Sequence, residues 1–130
     1  MSTFKRFEDI DAWRQARVLS KRIHSITKDR AFIKEPDLKR QMKRCAGSIL
    51  DNIAEGFERG GNKEFIHFLS ISKGSAGEIR SQLYRSLDYE LIDQEKFDEL
   101  YPIAEGISKM LEGLISYLKT SEFKGTKFTK

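Results

Sequence analysis

The 130-residue chain contains one cysteine, two prolines, one tryptophan and two histidines, and each scarcity excludes something. A single thiol, Cys45, can form no intramolecular disulfide and no zinc cluster, which predicts a reducing, cytoplasmic setting. Nowhere does an uninterrupted apolar run approach the roughly 20 residues of a membrane helix, and the opening MSTFKRFEDIDAW has no apolar signal core, so no membrane association is predicted. There is no G-x-S-x-G and no glycine-rich phosphate loop; the stretch Gly74-Ser75-Ala76-Gly77-Glu78 lies within a helical pattern, not between a strand and a helix. What remains is 38% hydrophobic and 34% charged, the composition of one mostly helical domain with extensively solvated faces.

Apolar spacing divides that domain into four helices. In the first, Ala12, Ala16, Leu19, Ile23 and Ile26 step by four and three, with Trp13 alongside; Glu8, Asp9 and Asp11 favour the positive end of its dipole. It is predicted over residues 9–28. Pro36 and Asp37, the latter as N-cap, open a second helix over 37–59 with the stripe Leu38, Met42, Cys45, Ile49, Ile53 and Phe57. Gly60 and Gly61 stop it. Asn62 is the expected cap of a third helix over 62–91, with Phe65, Leu69, Ser72, Ala76, Ile79, Leu83 and Leu87 inward. Asp93 caps a fourth over 93–119, whose seam is Phe97, Leu100, Ala104, Ile107, Leu111, Leu114 and Leu118. Pro102 should kink it.

Short connections between amphipathic helices of similar length predict an all-α, antiparallel up-down-up-down four-helix bundle with left-handed, coiled-coil-like packing. Residues 1–8 form an N-terminal arm, and 120–130 a flexible basic tail without periodicity. Residues equidistant from the Gly60-Gly61 turn should lie level, so Ile49 faces Ser72, Cys45 faces Ala76, Met42 faces Ile79, and Arg44 approaches Glu78. Cys45-Ala46-Gly47-Ser48 then lies beside Gly74-Ser75-Ala76-Gly77, which predicts a tight waist, because each helical glycine costs about 1 kcal/mol relative to alanine.

The net charge of +4 is unevenly placed: residues 1–60 hold 14 Lys/Arg against 9 Asp/Glu, and residues 61–130 hold 10 against 11. The excess lies in Arg14, Arg17, Lys21 and Arg22, then Lys39, Arg40, Lys43 and Arg44. These eight are the candidate anion-binding residues, set against the plain reading of two solvated helix faces. Aromatic stacking residues are not interleaved with them, so binding without base specificity is expected.

Chemistry is sparse elsewhere. Glu64-Phe65-Ile66-His67 has the E-x-x-H spacing of carboxylate-bridged metal bundles, but a second copy is missing, since His24 has Lys21 where a glutamate is required. No metal or other cofactor is expected. Cys45 on an apolar stripe reads as inert core, not as a nucleophile paired with His24 or His67. The chain is expected not to be an enzyme.

One pattern is unusual. Ser48, Asn52, Glu55 and Arg59 recur as regularly as the apolar stripe they flank, and the third helix carries a companion set of His67, Gly74, Glu78, Gln82 and Arg85. Water alone is served equally well by lysine and glutamate; short residues with fixed hydrogen-bonding geometry suit a covered surface, most simply another copy of the chain.

F-E-D-I-D-A-W-R-Q-A at Phe7–Ala16, Q-M-K-R-C-A-G-S-I-L-D-N-I-A-E-G at Gln41–Gly56, E-F-I-H-F-L at Glu64–Leu69 and K-G-S-A-G-E-I-R-S-Q-L at Lys73–Leu83 resemble the bacterial four-helix-bundle family also called the 23S ribosomal RNA intervening-sequence protein family. The resemblance spans roughly residues 4–119. It implies a short antiparallel bundle that assembles into a ring, commonly a homopentamer, and kinship with the basic accessory protein of diversity-generating retroelements, which binds nucleic acid and a reverse transcriptase. By position the family signature falls on Ser48, Asn52, Glu55, Gly56, Gly74, Ser75 and Glu78, and Arg59 continues the stripe. The resulting expectation is a non-enzymatic homo-oligomer that holds the backbone of RNA or DNA on its basic faces; the alternative is a scaffold for a protein partner.

Overall fold

The computed structural model describes residues 4–120. Four helices follow one another, α1 (Asp11–Ile26), α2 (Pro36–Arg59), α3 (Asn62–Asp88) and α4 (Gln94–Thr120), and there is no strand among the described residues. Each packs on its neighbour in the chain, and α1 closes the ring against α4, while the backbones of the diagonal pairs α1/α3 and α2/α4 stay farther apart across the shared core. Cross-links between helices run in opposite senses: Ser72 to Ile49 and Ser86 to Met42 between α3 and α2, Lys73 to Glu112 and Arg80 to Ser108 between α3 and α4. The architecture is an antiparallel four-helix bundle.

The predicted stripes fill the core. Ala12, Ala16, Leu19 and Ile23 of α1 and all six apolar residues of the α2 stripe are buried. In α4 the seam drifts at its end, where Ile115 is buried and Leu114 only half-buried, because 3.6 residues per turn rotates a long helix relative to its neighbours. Pro102 lies on the exposed face and α4 runs through it. The hydrogen bond it removes belongs to the carbonyl of Asp98, which water can satisfy.

The helix ends depart from expectation in instructive ways. Asp9 does not start α1. Its carboxylate accepts the backbone N–H groups of Lys5 (3.1 Å) and Arg6 (3.3 Å) and so caps a separate 3-10 turn, Phe7–Asp9. Extended backbone at the buried Ile10 separates that turn from α1. At the other end the Thr27 hydroxyl donates to the carbonyl of Ile23 at 2.9 Å, and α1 stops at Ile26.

Glu35, not Asp37, is the N-cap of α2, with Pro36 at the first helical position, where its missing N–H costs nothing. Asp37 instead pairs with Arg40. Gly60 ends α2 in the left-handed conformation, φ 93°, which glycine adopts without strain. Gly61, not Asn62, is the N-cap of α3. The Asn62 side chain is engaged elsewhere, donating to the carbonyl of Leu118 near the end of α4 at 2.9 Å. Helix α3 stops at Asp88, three residues early, where Glu90 takes φ 62° and the N–H of Leu91 turns back to the carbonyl of Ser86 at 2.8 Å.

Between α1 and α2 the chain makes a 3-10 turn, Arg30–Lys34, capped by the Asp29 carboxylate accepting the Ala31 N–H at 2.9 Å. It drives Phe32 into the core and leaves Ile33 exposed. The tail predicted for residues 120–130 lies outside the described residues except for Thr120, as do the first three residues of the arm.

Candidate nucleic-acid interface

The eight candidate cations separate into two groups. Along the outer ridge of α1, Trp13, Arg17, Lys21, His24 and Lys28 follow at steps of four, four, three and four, so they share one line along the helix and its C-terminal continuation. Arg17, Lys21, His24 and Lys28 are exposed. On α2, Lys39 and Lys43 lie on the side turned toward α1, with Lys39 half-buried and Lys43 exposed. Helix α2 packs on α1 and begins where α1 ends, so Lys39, in its first turn, stands toward the end of α1 that carries His24 and Lys28, and Lys43 follows one turn farther along. None of Arg17, Lys21, Lys28, Lys39 or Lys43 has a carboxylate partner among the described residues.

The other four are held differently. Arg14 donates to the Glu8 carbonyl (2.7 Å) and the Asp11 carboxylate (2.8 Å), which ties it to the 3-10 turn. Arg22 faces α4 and lies 3.8 Å from Glu99. Arg40 is paired with Asp37. Arg44 is exposed and makes no ion pair with Glu78 or any other described carboxylate. His24 and Lys28 were missed in the sequence, although their three- and four-residue spacing from Lys21 was available there.

A second surface lies where α2 meets α3, and it contains the signature residues. Asn52 Nδ2 donates to both the carbonyl and the hydroxyl of Ser48 at 2.9 Å, and the Ser75 hydroxyl donates to Ser48 Oγ at 2.9 Å. Beneath them the Ser72 hydroxyl reaches the Ile49 carbonyl at 2.8 Å, so Ile49 and Ser72 meet as the turn geometry requires. Farther from the turn the polar contacts reach later residues of α3: Gln82 Nε2 lies 3.6 Å from the Cys45 sulfur and the Ser86 hydroxyl 3.4 Å from the Met42 sulfur, while Ala76 and Ile79 are buried in the same core as Cys45 and Met42. Side chains lean toward the N-terminus of their own helix, which carries Cys45 and Met42 toward later residues of α3.

The tight waist is real but misplaced. A Cβ on Gly56 would stand 2.6 Å from Phe68 Cβ, whereas one on Gly47, Gly74 or Gly77 would meet nothing within 4 Å. Close approach is therefore at Gly56, beside Phe57 and Phe65, whose rings meet edge-on at 5.9 Å. The other three glycines turn outward, and small buried residues such as Ala46, Ser72 and Ala76 line the contact in their place. Arg59 spans the groove near the turn, 2.9 Å from Glu55, 3.7 Å from Glu64 and with its guanidinium 5.0 Å from the centre of the Phe68 ring. The hydrogen bond that Arg59 donates to the Glu55 carboxylate raises the guanidinium's already high pKa.

Cys45 is buried among these groups. Burial, the largest influence, raises its thiol pKa; the Gln82 hydrogen bond opposes the rise and the Glu78 carboxylate adds to it. A thiol so placed is held protonated and is a poor nucleophile at neutral pH. Glu64 is engaged with Arg59, and the His67 ring packs edge-on to Phe68 at 5.3 Å. Among the described residues no three His, Cys, Asp or Glu side chains converge as metal ligands, and no helix is long and apolar enough to cross a membrane.

No curated protein matches the chain. Among solved structures it is similar to a protein of unknown function from the S23 ribosomal protein family of Bacteroides thetaiotaomicron, at 23% identity and a TM-score of 0.72, over 80% of this chain and 97% of that one. That likeness extends to the fold. The model of the 23S rRNA-intervening sequence protein family matches residues 8–113, a span that takes in α1, the signature residues of the α2/α3 groove and most of α4. By that match, the chain belongs to the 23S rRNA-intervening sequence protein family.

Proposed function

We propose that this protein is a non-enzymatic, cytoplasmic homo-oligomer, a pentameric ring, that holds the phosphate backbone of RNA or DNA along the α1/α2 ridge. The observation that carries the reading is the ridge itself: Arg17 and Lys21 in line on α1 and Lys28 just beyond its end, flanked by Lys39 and Lys43 on α2, with no carboxylate drawn to any of them among the described residues. Five unneutralised cations on one face form an electrostatic footprint for a polyanion. Arg14, Arg22 and Arg40 are held in exposed pairs, which contribute at most about 1 kcal/mol each and can be exchanged for phosphate. A pentamer carries about +20, five times the +4 of one chain, and engages one strand at several points.

Self-association is assigned to the α2/α3 face. Gly47, Gly74 and Gly77 each lower helix stability by about 1 kcal/mol relative to alanine, and no neighbour within the protomer requires them. Close approach of a second copy supplies the requirement, with Ser48, Asn52, Glu55 and Glu78 as its polar contacts.

Fluorescence anisotropy of labelled RNA and duplex DNA, titrated with protein of known oligomeric mass, tests the nucleic-acid reading. With five phosphate contacts, affinity should fall on the order of 100-fold for a single strand and about 500-fold for duplex DNA between about 50 and 200 mM salt. Replacing Arg17, Lys21, Lys39 and Lys43 with Glu should abolish binding without changing the mass. No binding at the lower salt retires this reading and leaves a scaffold for a protein partner.

A further inference from the structure

The head of the basic ridge is an aromatic ring. Trp13 precedes Arg17 by one turn and lies on the same line as Lys21, His24 and Lys28, so the ridge of about 22 Å begins on an indole and continues in cations. Trp13 is half-buried. Phe7 meets it edge-on, with ring centres 5.1 Å apart, and holds it in place. Arg17 lies over the ring with its guanidinium carbon 5.9 Å from the centre, at the outer limit of cation–π contact, so it can swing aside at little cost.

We infer that the ligand of this ridge is a single-stranded polynucleotide, with Trp13 as the platform on which one base stacks while the following phosphates run along Arg17, Lys21 and Lys28. This inference rests on the ridge being a phosphate-binding surface and adds what kind of strand it takes. Within a duplex both faces of every internal base are covered by neighbouring pairs, and a ring in line with phosphate contacts along the strand reaches a base only where the strand is unpaired. Stacking is tolerant of base identity, because every base has a π-face. Arg17 completes the arrangement: displaced from the indole, its planar guanidinium can lie against the base or take a phosphate.

Trp13 is the chain's one tryptophan, so its emission reports on this position without labelling. The full chain is titrated with oligo(U) and with oligo(dT) of about 12 nucleotides, and separately with a blunt duplex of the same length, following tryptophan emission and anisotropy of the labelled strand together. Both single strands should quench the emission with the same midpoint as the anisotropy rise, and the duplex should leave it unchanged. Comparison of oligo(U) with oligo(dT) separates an RNA source from a DNA one.

Trp13→Leu should bind single strands about tenfold more weakly with duplex affinity unaltered, and Trp13→Phe should recover most of the loss. Should Trp13→Leu fail to fold by circular dichroism, the wild-type emission decides. Single-strand binding with unchanged emission overturns the stacking site and leaves the phosphate surface standing. Equal quenching by duplex overturns the single-strand assignment, and no anisotropy rise with any probe overturns the ridge as well.

Discussion

Helix α2 presents one chemistry to α3 and another to the α1 side. Toward α3 the middle of the helix carries short polar residues: Ser48 and Asn52 are bonded to each other, and Ser75 of α3 to Ser48, with Arg59 paired to Glu55 and Glu64 near the turn. Toward α1 stand Lys39 and Lys43, without carboxylate partners among the described residues. Short side chains with assigned hydrogen bonds fix how two helices sit against each other, whereas unpaired lysines fix only a potential. The difference teaches that one helix can separate assembly from ligand capture, and that a substitution on one side should leave the function of the other intact.

Gly56→Ala is the most damaging way to break the α3 side. Its Cβ would lie 2.6 Å from Phe68 Cβ, so one helix must move, at a cost of about 1–3 kcal/mol; thermal unfolding followed by circular dichroism should show a clear fall in Tm. Gly74→Ala should do the reverse to the protomer, stabilising it by about 1 kcal/mol while weakening self-association in light scattering. An unchanged mass would remove Gly74 from the interface.

Cys45 sharpens the contrast, because its burial between α2 and α3 should make alkylation by iodoacetamide at neutral pH follow unfolding. Rapid labelling of the folded protein would mean that the seam opens. The smallest effect is expected at Lys73→Met, between α3 and α4. Lys73 bonds to Glu112 and lowers its carboxyl pKa. That contribution is present above the ordinary carboxylate range and is lost as pH falls through the lowered value. Lys73→Met should therefore lower Tm slightly at neutral pH and leave it nearly unchanged in acid, so that the acid-induced decline is smaller than in the parent protein.

The core was legible because burial imposes periodicity: residues such as Leu38, Met42 and Ile49 repeat at helical spacing wherever one face of α2 meets apolar neighbours. The ends were less legible. Asp9, Asp37 and Asn62 all have the chemistry of an N-cap, but each found a different partner, and a local preference of about 1 kcal/mol does not determine which donor lies nearby in three dimensions. The glycines were misread for a related reason. Spacing shows that Gly47, Gly56 and Gly77 lie in helices, but small differences in rotation decide which of them meets Phe68. The basic ridge was half legible, since Lys21 and Arg22 are adjacent in sequence and only the packing of α4 draws Arg22 away to Glu99.

Phe4, Ala12, Gly113 and Tyr117 line one groove of about 270 Å³ at a single end of the bundle, and Asn62 binds the Leu118 carbonyl at that same end. The first and last described turns are therefore neighbours. A circular permutant that joins them through a short glycine-serine linker and opens the chain in the exposed turn at Ile33 would change the order in which the helices are made while leaving every seam between them in place. Retention of the helical circular-dichroism spectrum and of Tm in that permutant would show that the sequence order of the helices is separable from their spatial arrangement.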